Sequence, residues 1–300
     1  MPGAFSRMGF GARGIGMGNA MSAVTEGNLV SYYNPALSAF QDGNLFQTSY
    51  SFLALDRSLN FISFTKRFDF SSKNKAQKRS AGISLGIINS GVGNIDGRDN
   101  EGVQTGNLST SENQFFIGFA NRFSERLSIG LSAKFYYYKL YKNVSATSVG
   151  LDLGALYMFN EHLNLSLMIS DINSKYKWDS SPLYGQSGTI TEDKFPLLKK
   201  IGVSYSEKSI GLIAAVEYEN SNGGTNIIRG GAEYNIIDKL FIRAGIDQFN
   251  LSNSDFPAKP AFGFSYFKDF DNITIGIDYA FMVEQYSNQD RHIVGLSVNF

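Results

Sequence analysis

The residues of this chain that could carry out chemistry are few, because it contains two histidines, His162 and His292, and no cysteine. The lack of cysteine excludes disulfides and thiolate metal sites, and neither histidine has a serine motif beside it that would suggest a hydrolase. The acidic stretch at residues 94–102 lacks the ligand spacing of a calcium-binding loop, so a solvated turn is favoured over a cation site. These residues predict a protein that is not an enzyme and that needs no metal or cofactor.

Five charged residues in the second half of the chain form a different kind of candidate site, because they lie on segments in which apolar and small polar residues alternate. Alternation with a period of two places every second side chain on the same face of a β-strand. The five therefore share one face of neighbouring predicted strands, and they are Glu217, Arg229, Glu233, Arg243 and Asp247. Because charges in a confined space are seldom left unpaired, mutual neutralisation inside a polar interior is favoured over a ligand site.

About fourteen segments with this alternation follow one another from Leu45 to the end of the chain. In SAGISLGII, for example, Ala81, Ile83 and Leu85 face one way while small residues face the other. The second face of these segments carries Gly, Ser and Thr with scattered charges, whereas a soluble β-sandwich would present many Lys and Glu side chains to water. Aromatic residues lie near the ends of the apolar faces, where a bilayer interface would place them. The pattern predicts an all-β fold, a 14-stranded antiparallel transmembrane β-barrel in a lipid bilayer.

The connections between these segments alternate between short and long, as the periplasmic turns and outer loops of a bacterial outer-membrane barrel do. The short connections are residues 123–126, 159–162, 206–209, 235–239 and 268–272, and the basic connection at 71–80 falls on the same side but is longer. The long connections are residues 91–112, 141–147, 171–196, 219–225, 249–260 and 282–291. This alternation places both ends of the barrel chain in the periplasm and predicts the bacterial outer membrane as the location.

Bulk properties argue against two other classes of protein. The chain has 27 basic and 27 acidic residues, and this balance argues against a nucleic-acid partner. It contains no uninterrupted apolar run of about 18 residues, which excludes a transmembrane helix. Its first residues, MPGAFSRMGF, lack the basic start and apolar core of a secretory signal peptide, so we expect the signal of an exported protein to have been removed.

The beginning of the chain differs from the rest, since the stretch GARGIGMGNAMSAVTEGNLVSYYNPALSAF (residues 11–40) is apolar and glycine-rich but does not alternate. Gly16 and Gly18 permit close backbone packing and are predicted to tolerate hinge motion, residues 20–24 are predicted to form a helical turn, and Pro35 fixes a bend. We therefore predict two domains, an N-terminal hatch at residues 1–43 that lies inside the barrel and the transmembrane barrel at residues 44–300.

The hatch sequence resembles that of the FadL-like outer-membrane β-barrel superfamily, and most closely its PorV/PorQ branch, in an Arg-x-x-Gly-Met-Gly start followed by Asn-Pro-Ala. The matching residues, which the resemblance identifies as hatch or gate residues, are Arg13, Gly16, Met17, Gly18, Asn34, Pro35 and Ala36. The PorV/PorQ branch implies a role in type IX protein secretion or cell-surface attachment, with a secreted cargo protein or another secretion-system barrel as partner, and this is the leading prediction. The superfamily implies the alternative, a FadL-like channel that passes a hydrophobic small molecule through the barrel and sideways into the membrane, gated by the hatch.

The two activities predict different site residues. Uptake requires an apolar route inside the barrel, although packing of the hatch against the wall would use the same side chains. The candidate lining residues are Leu29, Val30, Tyr32, Tyr33, Phe116, Ile213, Ile227 and Phe241. Secretion requires a binding surface on the outer loops, and aromatic side chains suit such a surface. The candidates for it are Tyr176, Trp178, Leu183 and Tyr184.

Overall fold

Fourteen antiparallel strands close into one barrel in the computed structural model, which describes residues 2–70, 79–141 and 143–300. The barrel strands are β1 (Asn44–Phe52), β2 (Arg57–Phe70), β3 (Arg79–Arg98), β4 (Gln104–Arg122), β5 (Leu127–Tyr141), β6 (Val144–Met158), β7 (Leu163–Ile172), β10 (Leu198–Glu207), β11 (Leu212–Ser221), β12 (Asn226–Ile237), β13 (Leu240–Asn250), β14 (Lys259–Phe270), β15 (Ile273–Met282) and β16 (Arg291–Asn299). Neighbours in this order pair with each other, and β1 pairs with β16 to close the barrel. The predicted 14-stranded antiparallel fold is confirmed.

The barrel strands turn small and polar side chains to the lumen and apolar side chains to the outside. On β5, Ser128 and Ser132 are buried, whereas the outward Ile129 and Leu131 are 45% and 47% exposed. Outward apolar side chains of this kind recur around the barrel, as a lipid-facing surface requires. No helix in the described parts of the chain is long and apolar enough to cross a membrane.

The long and short connections lie at opposite ends of the barrel, but two predicted long loops are wrong. The residues at 91–112 mostly belong to strands, because β3 and β4 continue past the other strands as a paired extension with bulges near Val92 and Gly97. The connection predicted at 141–147 is tight, since β5 ends at Tyr141 and β6 begins at Val144. Both errors arise because the strand ends there carry mainly polar side chains, which hide the alternation. Residues 71–78 of the predicted basic connection lie outside the described residues.

The predicted loop at residues 171–196 contains secondary structure that its sequence did not reveal. The strands β8 (Lys175–Asp179) and β9 (Ile190–Lys194) pair as a hairpin that is separate from the barrel sheet. Its tip holds a short helix, α2 (Ser181–Tyr184), followed by a 3₁₀ turn at Gly185–Ser187. Each strand has only five residues and several charges, too few to show a period of two. We call the end of the barrel that carries this hairpin the outer end and the opposite one the turn end.

Residues 2–43 lie inside the barrel and contain three short helical segments: a 3₁₀ turn at Ala4–Arg7, the helix α1 (Ala12–Gly16) and a 3₁₀ turn at Pro35–Ala39. At residues 20–24, where a helical turn was predicted, the chain forms no helix but a single turn, in which the Val24 amide donates to the carbonyl oxygen of Met21 at 3.2 Å. The helix forms earlier, after Gly11, and ends before Gly18, whose φ of 60° is left-handed. At the second 3₁₀ turn the side chain of Asn34 accepts a hydrogen bond from the Ala36 amide, which caps the turn.

Candidate functional site

A cavity of about 880 Å³ lies at the outer end of the barrel, between the β8–β9 hairpin and the rims of β4, β5 and β6. Its wall is largely aromatic and aliphatic, and Pro2 of the hatch region forms part of it. The aromatic and large aliphatic side chains that line this outer cavity include Tyr138, Leu140, Tyr141, Tyr176, Trp178, Leu183 and Tyr184. A concave apolar site with a few polar groups is typical of small-molecule binding.

Polar contacts between its two strands order the hairpin, which forms one wall of the outer cavity. The Nζ of Lys175 binds both oxygens of Glu192, at 2.8 and 3.0 Å, across the two hairpin strands. This hydrogen bond and the charge of Lys175 hold the pKa of Glu192 below its usual range. The indole Nε1 of Trp178 donates to Asp193 at 2.9 Å, which fixes the orientation of the only tryptophan in the chain. The wall is therefore organised by contacts within the hairpin itself.

A column of aromatic rings continues from the outer cavity down to the hatch. The rings of Trp178 and Tyr176 lie 5.5 Å apart, and Tyr176 lies 4.8 Å from Phe195. Phe195 is next to Tyr136 at 4.9 Å, and Tyr136 is 6.4 Å from Phe5 in the hatch. Apolar contact thus extends without a break from the cavity to the first helical turn of the hatch.

The hatch is seated against inward-facing glycines of the barrel wall. A Cβ atom on Gly231 would lie 2.3 Å from the carbonyl oxygen of Met17, and one on Gly245 would lie 2.3 Å from the amide nitrogen of Gly18. Since real Cβ contacts are not that short, only glycine allows the backbones to approach so closely. The glycines on the polar face of these strands therefore leave the space that the hatch backbone occupies.

The Asn-Pro-Ala stretch is seated on the opposite part of the wall in the same way. A Cβ atom on Gly130 would meet the backbone of Pro35 and Ala36, at 2.5 and 2.4 Å, and one on Gly154 would lie 2.0 Å from the side chain of Asn34. The Asn34 amide also donates to the carbonyl oxygens of Ser22, at 3.0 Å, and Ala155, at 3.3 Å. The predicted hatch residues are thus fixed to two sides of the barrel.

Buried ion pairs connect the hatch to the wall. Arg13 donates through Nε and Nη2 to both oxygens of Glu233, at 2.8 Å each, and Glu233 is shared with Arg243. Further along the same face, Asn19 of the hatch donates to Asp247 at 2.8 Å. Arg229 pairs with Asp247, Glu219 and Glu217, at 2.7, 3.1 and 3.5 Å. Glu217 also pairs with Lys200 at 3.5 Å, and Arg243 also lies 3.9 Å from Asp278. All five lumenal charges predicted from sequence are buried and paired, the arrangement of mutual neutralisation.

A second buried cluster was not singled out from the sequence. The Nζ of Lys134 binds Asp152 at 2.6 Å and approaches Asp171 at 3.5 Å, and the Tyr136 hydroxyl donates to Asp171 at 2.6 Å. Lys134 also lies over the ring of Tyr32, 4.6 Å from its centre. Lys134 and Asp152 both lie on the inward faces of the paired strands β5 and β6. The register of this pair is the feature from which their contact could have been inferred.

The hatch leaves little free space at the level of these clusters. A cavity of about 40 Å³ lies between the two ionic clusters and the hatch, which is room for a water molecule but not for an organic ligand. At the turn end a wider cavity of about 630 Å³ opens beside Glu26, Ile213 and Phe241. The hatch therefore separates an outer from an inner cavity.

The predicted lining residues do not form one apolar route, because the hatch fills the space that they would line. Leu29 packs in a cluster with Leu37 and Leu156, while Ile227 lies towards the outer end and Phe241 lines the inner cavity. The other predicted lining residues pack in or against the core around the hatch, and they are Val30, Tyr32, Tyr33, Phe116 and Ile213.

The predicted outer-loop surface is also different from the expectation. Tyr176 is 1% exposed and turns into the aromatic column, so it is not available to a protein partner on the outside. Leu183 and Tyr184 are 42% and 66% exposed at the hairpin tip, and together with Trp178 and Tyr176 they line the outer cavity. The sequence identified the right aromatic residues, but strand pairing in the hairpin turns two of them inward.

The remaining candidate residues lie apart from this site. The Nδ1 of His162 is 2.9 Å from the carbonyl oxygen of Ser206 at the turn end, and His292 lies 2.7 Å from the Tyr279 hydroxyl on the outside of the barrel. In the acidic stretch, Asp99 accepts hydrogen bonds from the amides of its own turn. No group of three or more potential metal ligands occurs within the described ranges of the chain.

Comparison with known proteins adds a fold relationship. No protein-family profile matches the chain, and no curated protein sequence matches it. Among solved structures, the toluene transporter TbuX of Ralstonia pickettii has a TM-score of 0.65 and 14% identity, with 97% of this chain and 98% of that chain covered. The toluene transporter TodX of Pseudomonas putida gives 0.59 and 15%, with 97% and 96% covered, and a FadL homologue of Pseudomonas aeruginosa gives 0.58 and 10%, with 97% and 98% covered. At these identities the likeness establishes a shared fold.

Proposed function

We propose that this protein is a non-enzymatic channel of the bacterial outer membrane that takes up a hydrophobic small molecule, with residues 1–43 as the gate and residues 44–300 as the barrel. The observation that carries the proposal is the outer cavity of about 880 Å³, whose aromatic wall continues into the ring column above the hatch. Two barrels of the same fold are described as toluene transporters, which supports the same substrate class.

Capture in the outer cavity follows from the hydrophobic effect. Each Å² of apolar surface removed from water contributes about 25 cal/mol, so a small apolar molecule gains most when aromatic and aliphatic walls surround it. Trp178, Tyr176 and Leu183 provide such walls, and the hydrogen bond from Trp178 to Asp193 orders one of them before a ligand arrives. An ordered site binds more tightly, because less conformational entropy is lost on binding.

Passage then requires the hatch to move. The cavity of about 40 Å³ at the hatch is too small for an organic molecule, so a ligand that leaves the outer cavity displaces hatch residues from the lumen. The ring of Phe5 is the first hatch group below the aromatic column, in contact with Tyr136. A ligand that enters between these rings separates contacts that hold the hatch closed.

The wall consists of glycine and alanine where the hatch touches β12 and β13, and we include this place in the proposal as the exit towards the membrane. Outside the barrel, an apolar depression of about 770 Å³ lies over Gly230 and Ala244, and Met17 and Gly18 of the hatch lie directly behind it. The pairing of β12 with β13 shifts register between Ile228 and Gly230, which weakens the strand ladder there.

The secretion role predicted from the PorV/PorQ resemblance has less support. It rests on the hatch residues alone. Of the residues assigned to a protein partner, Tyr176 is buried, and only Leu183 and Tyr184 are exposed at the hairpin tip, where they also line the outer cavity. A protein interface is expected to present aromatic residues together on an accessible patch.

The proposal is tested with toluene and the purified protein in nanodiscs, because the single tryptophan lies in the outer cavity and reports occupancy through its fluorescence. Toluene is expected to change the Trp178 emission and to enter cells that carry the protein. Leu183→Arg places a charge in the cavity and is expected to weaken both effects about tenfold. Leu251→Arg, in a different exposed loop, is the matched control and is expected to change neither. Unchanged uptake in Leu183→Arg would refute the proposal, and a secreted protein that co-purifies without any toluene response would favour secretion.

A further inference from the structure

The outer cavity contains polar groups that its apolar wall leaves without partners. Tyr176 is 1% exposed, and its hydroxyl has no hydrogen-bond partner among the residues that the structure describes. Glu112 lines the same cavity with its carboxylate next to the Tyr138 hydroxyl, and its Oε2 atom is buried and has no hydrogen bond within those same residues. No ion pair within 4.0 Å involves Glu112 among the described residues. Buried polar groups in proteins normally find partners, which makes the two a sign of an incomplete site.

Neither atom is open to water, so a ligand supplies the missing partners by moving between the side chains of the cavity wall. The chemistry of the two groups restricts what that ligand is. The carboxylate oxygen of Glu112 accepts a hydrogen bond, and the phenol of Tyr176 both donates and accepts. A hydroxyl group on the ligand satisfies both, since it donates to Glu112 and accepts from Tyr176. A hydrocarbon satisfies neither, and a carboxylate brings a second negative charge beside Glu112.

The rest of the cavity surrounds an apolar body. Leu140 and Val144 line the wall on the barrel side, and Trp178 and Leu183 line it on the hairpin side. The polar groups thus occur together with a larger apolar surface, as expected for a molecule with one polar group on an apolar skeleton.

We propose that the outer cavity selects apolar molecules that carry a hydroxyl group, held between Glu112 and Tyr176, over hydrocarbons and over fatty-acid carboxylates. This inference rests on the proposed function, because it takes the outer cavity to be the entry site. Glu112 and Tyr176 are then the residues that determine specificity, whereas the remaining wall provides affinity without choosing among apolar skeletons.

The test compares four ligands with the same chain length, 1-octanol, n-octane, octanoate and octylamine, by their effect on Trp178 fluorescence in nanodiscs. None of them absorbs where tryptophan is excited, and partition into lipid is subtracted with empty nanodiscs. In the native protein, 1-octanol is expected to bind about tenfold more tightly than n-octane, and octanoate more weakly than either. Tyr176→Phe is expected to remove most of the preference for the alcohol over the hydrocarbon, and Glu112→Gln to improve octanoate binding.

Tyr184→Phe is the matched control, because Tyr184 lines the same cavity but is 66% exposed, so its hydroxyl is open to water. This variant is expected to keep the native ligand order. Equal binding of 1-octanol and n-octane by the native protein would overturn the inference and leave the proposed function intact. Tighter binding of octylamine would also overturn it, since Glu112 would then act as the counter-ion of a cation. No response to any ligand would instead overturn the proposed function. n-Octane binding by each variant verifies that its cavity is folded.

Discussion

The two glycines of the Gly-Met-Gly motif are expected to differ in their tolerance of a methyl group. Gly18 has a φ of 60°, and a Cβ there would lie 2.6 Å from the carbonyl oxygens of Gly230 and Ile246. The left-handed conformation costs an alanine about 1–2 kcal/mol, and overpacking against rigid backbone adds about 1–3 kcal/mol. Gly18→Ala should therefore destabilise the closed hatch by about 2–5 kcal/mol, which increases the open population by about 30- to 5,000-fold.

Gly16 is the matched control, because its backbone is helical and an added Cβ would lie 3.2 Å from the Cβ of Arg243 and 3.3 Å from the Cα of Gly263. Both contacts are only a few tenths of an ångström closer than ordinary van der Waals contact, so a slight shift of the hatch against the wall relieves them. Gly16→Ala should therefore cost about 1 kcal/mol, less than Gly18→Ala. The sequence alone gave no reason to distinguish these glycines. Their difference follows from the position of the wall.

Hydrogen exchange measures the difference directly. The amides of Met17, Gly18 and Asn19 are hydrogen-bonded to carbonyl oxygens within the hatch and exchange when it opens. These amides should exchange faster in Gly18→Ala than in the native protein, while amides of the barrel strands keep their native rates. Equal exchange in the Gly16 and Gly18 variants would refute the packing argument, and faster exchange throughout the barrel would show that the hatch and the barrel open as one unit.

Three further predictions address the charges. Arg13→Met leaves Glu233 with one cation instead of two. The hydrogen-exchange rate of the hatch amides should increase about 100-fold, which corresponds to a loss of about 3 kcal/mol in hatch stability, whereas Arg13→Lys should show a smaller increase. Lys134→Met leaves Asp152 buried without a cation and Asp171 with only Arg7, 3.9 Å away, and thermal unfolding should show a loss of about 3–5 kcal/mol. Because the pKa of Glu192 is lowered by Lys175, the pair stabilises the hairpin above the ordinary glutamate pKa and is lost as the pH falls through the lowered value. Ligand affinity, followed by Trp178 fluorescence, should therefore decrease on acidification. Glu192→Gln should remove the part of this pH dependence that comes from the Lys175–Glu192 pair.

The barrel was predictable from sequence because its strands have two different faces. Ser128 and Ser132 alternate with Ile129 and Leu131, and this contrast is local, so a short window of residues suffices to detect it. The strands of the β8–β9 hairpin, by contrast, do not show this alternation. Its strands have five residues each, and they lie outside the barrel, where no lipid imposes an apolar face.

The candidate site was predictable only in part, since it depends on contacts between distant parts of the chain. Glu217 and Arg229 are opposite each other in paired strands, and their shared inward face could be inferred once the strands were found. The partner of Arg13, by contrast, is 220 residues away, and nothing near Arg13 in the sequence indicates Glu233. The aromatic residues of 171–196 were identified as functional, but their inward direction follows from a hairpin that the sequence did not reveal.

The contacts of the hatch suggest an order in which it opens. Its first part is held near the outer cavity by ring contacts of Phe5 and by Arg291, which donates to the carbonyl oxygens of Met8 and Gly9 at 2.6 and 3.2 Å. Its later part is held by the Arg13–Glu233 pair and by close packing of its backbone against wall glycines on two sides of the barrel. A hydrophobic ligand can replace ring contacts with equivalent contacts of its own, but it cannot replace a buried ion pair. In the proposed uptake, the part of the hatch nearest the outer cavity is therefore expected to move first, and the ion pair behind it is expected to limit how far the opening spreads.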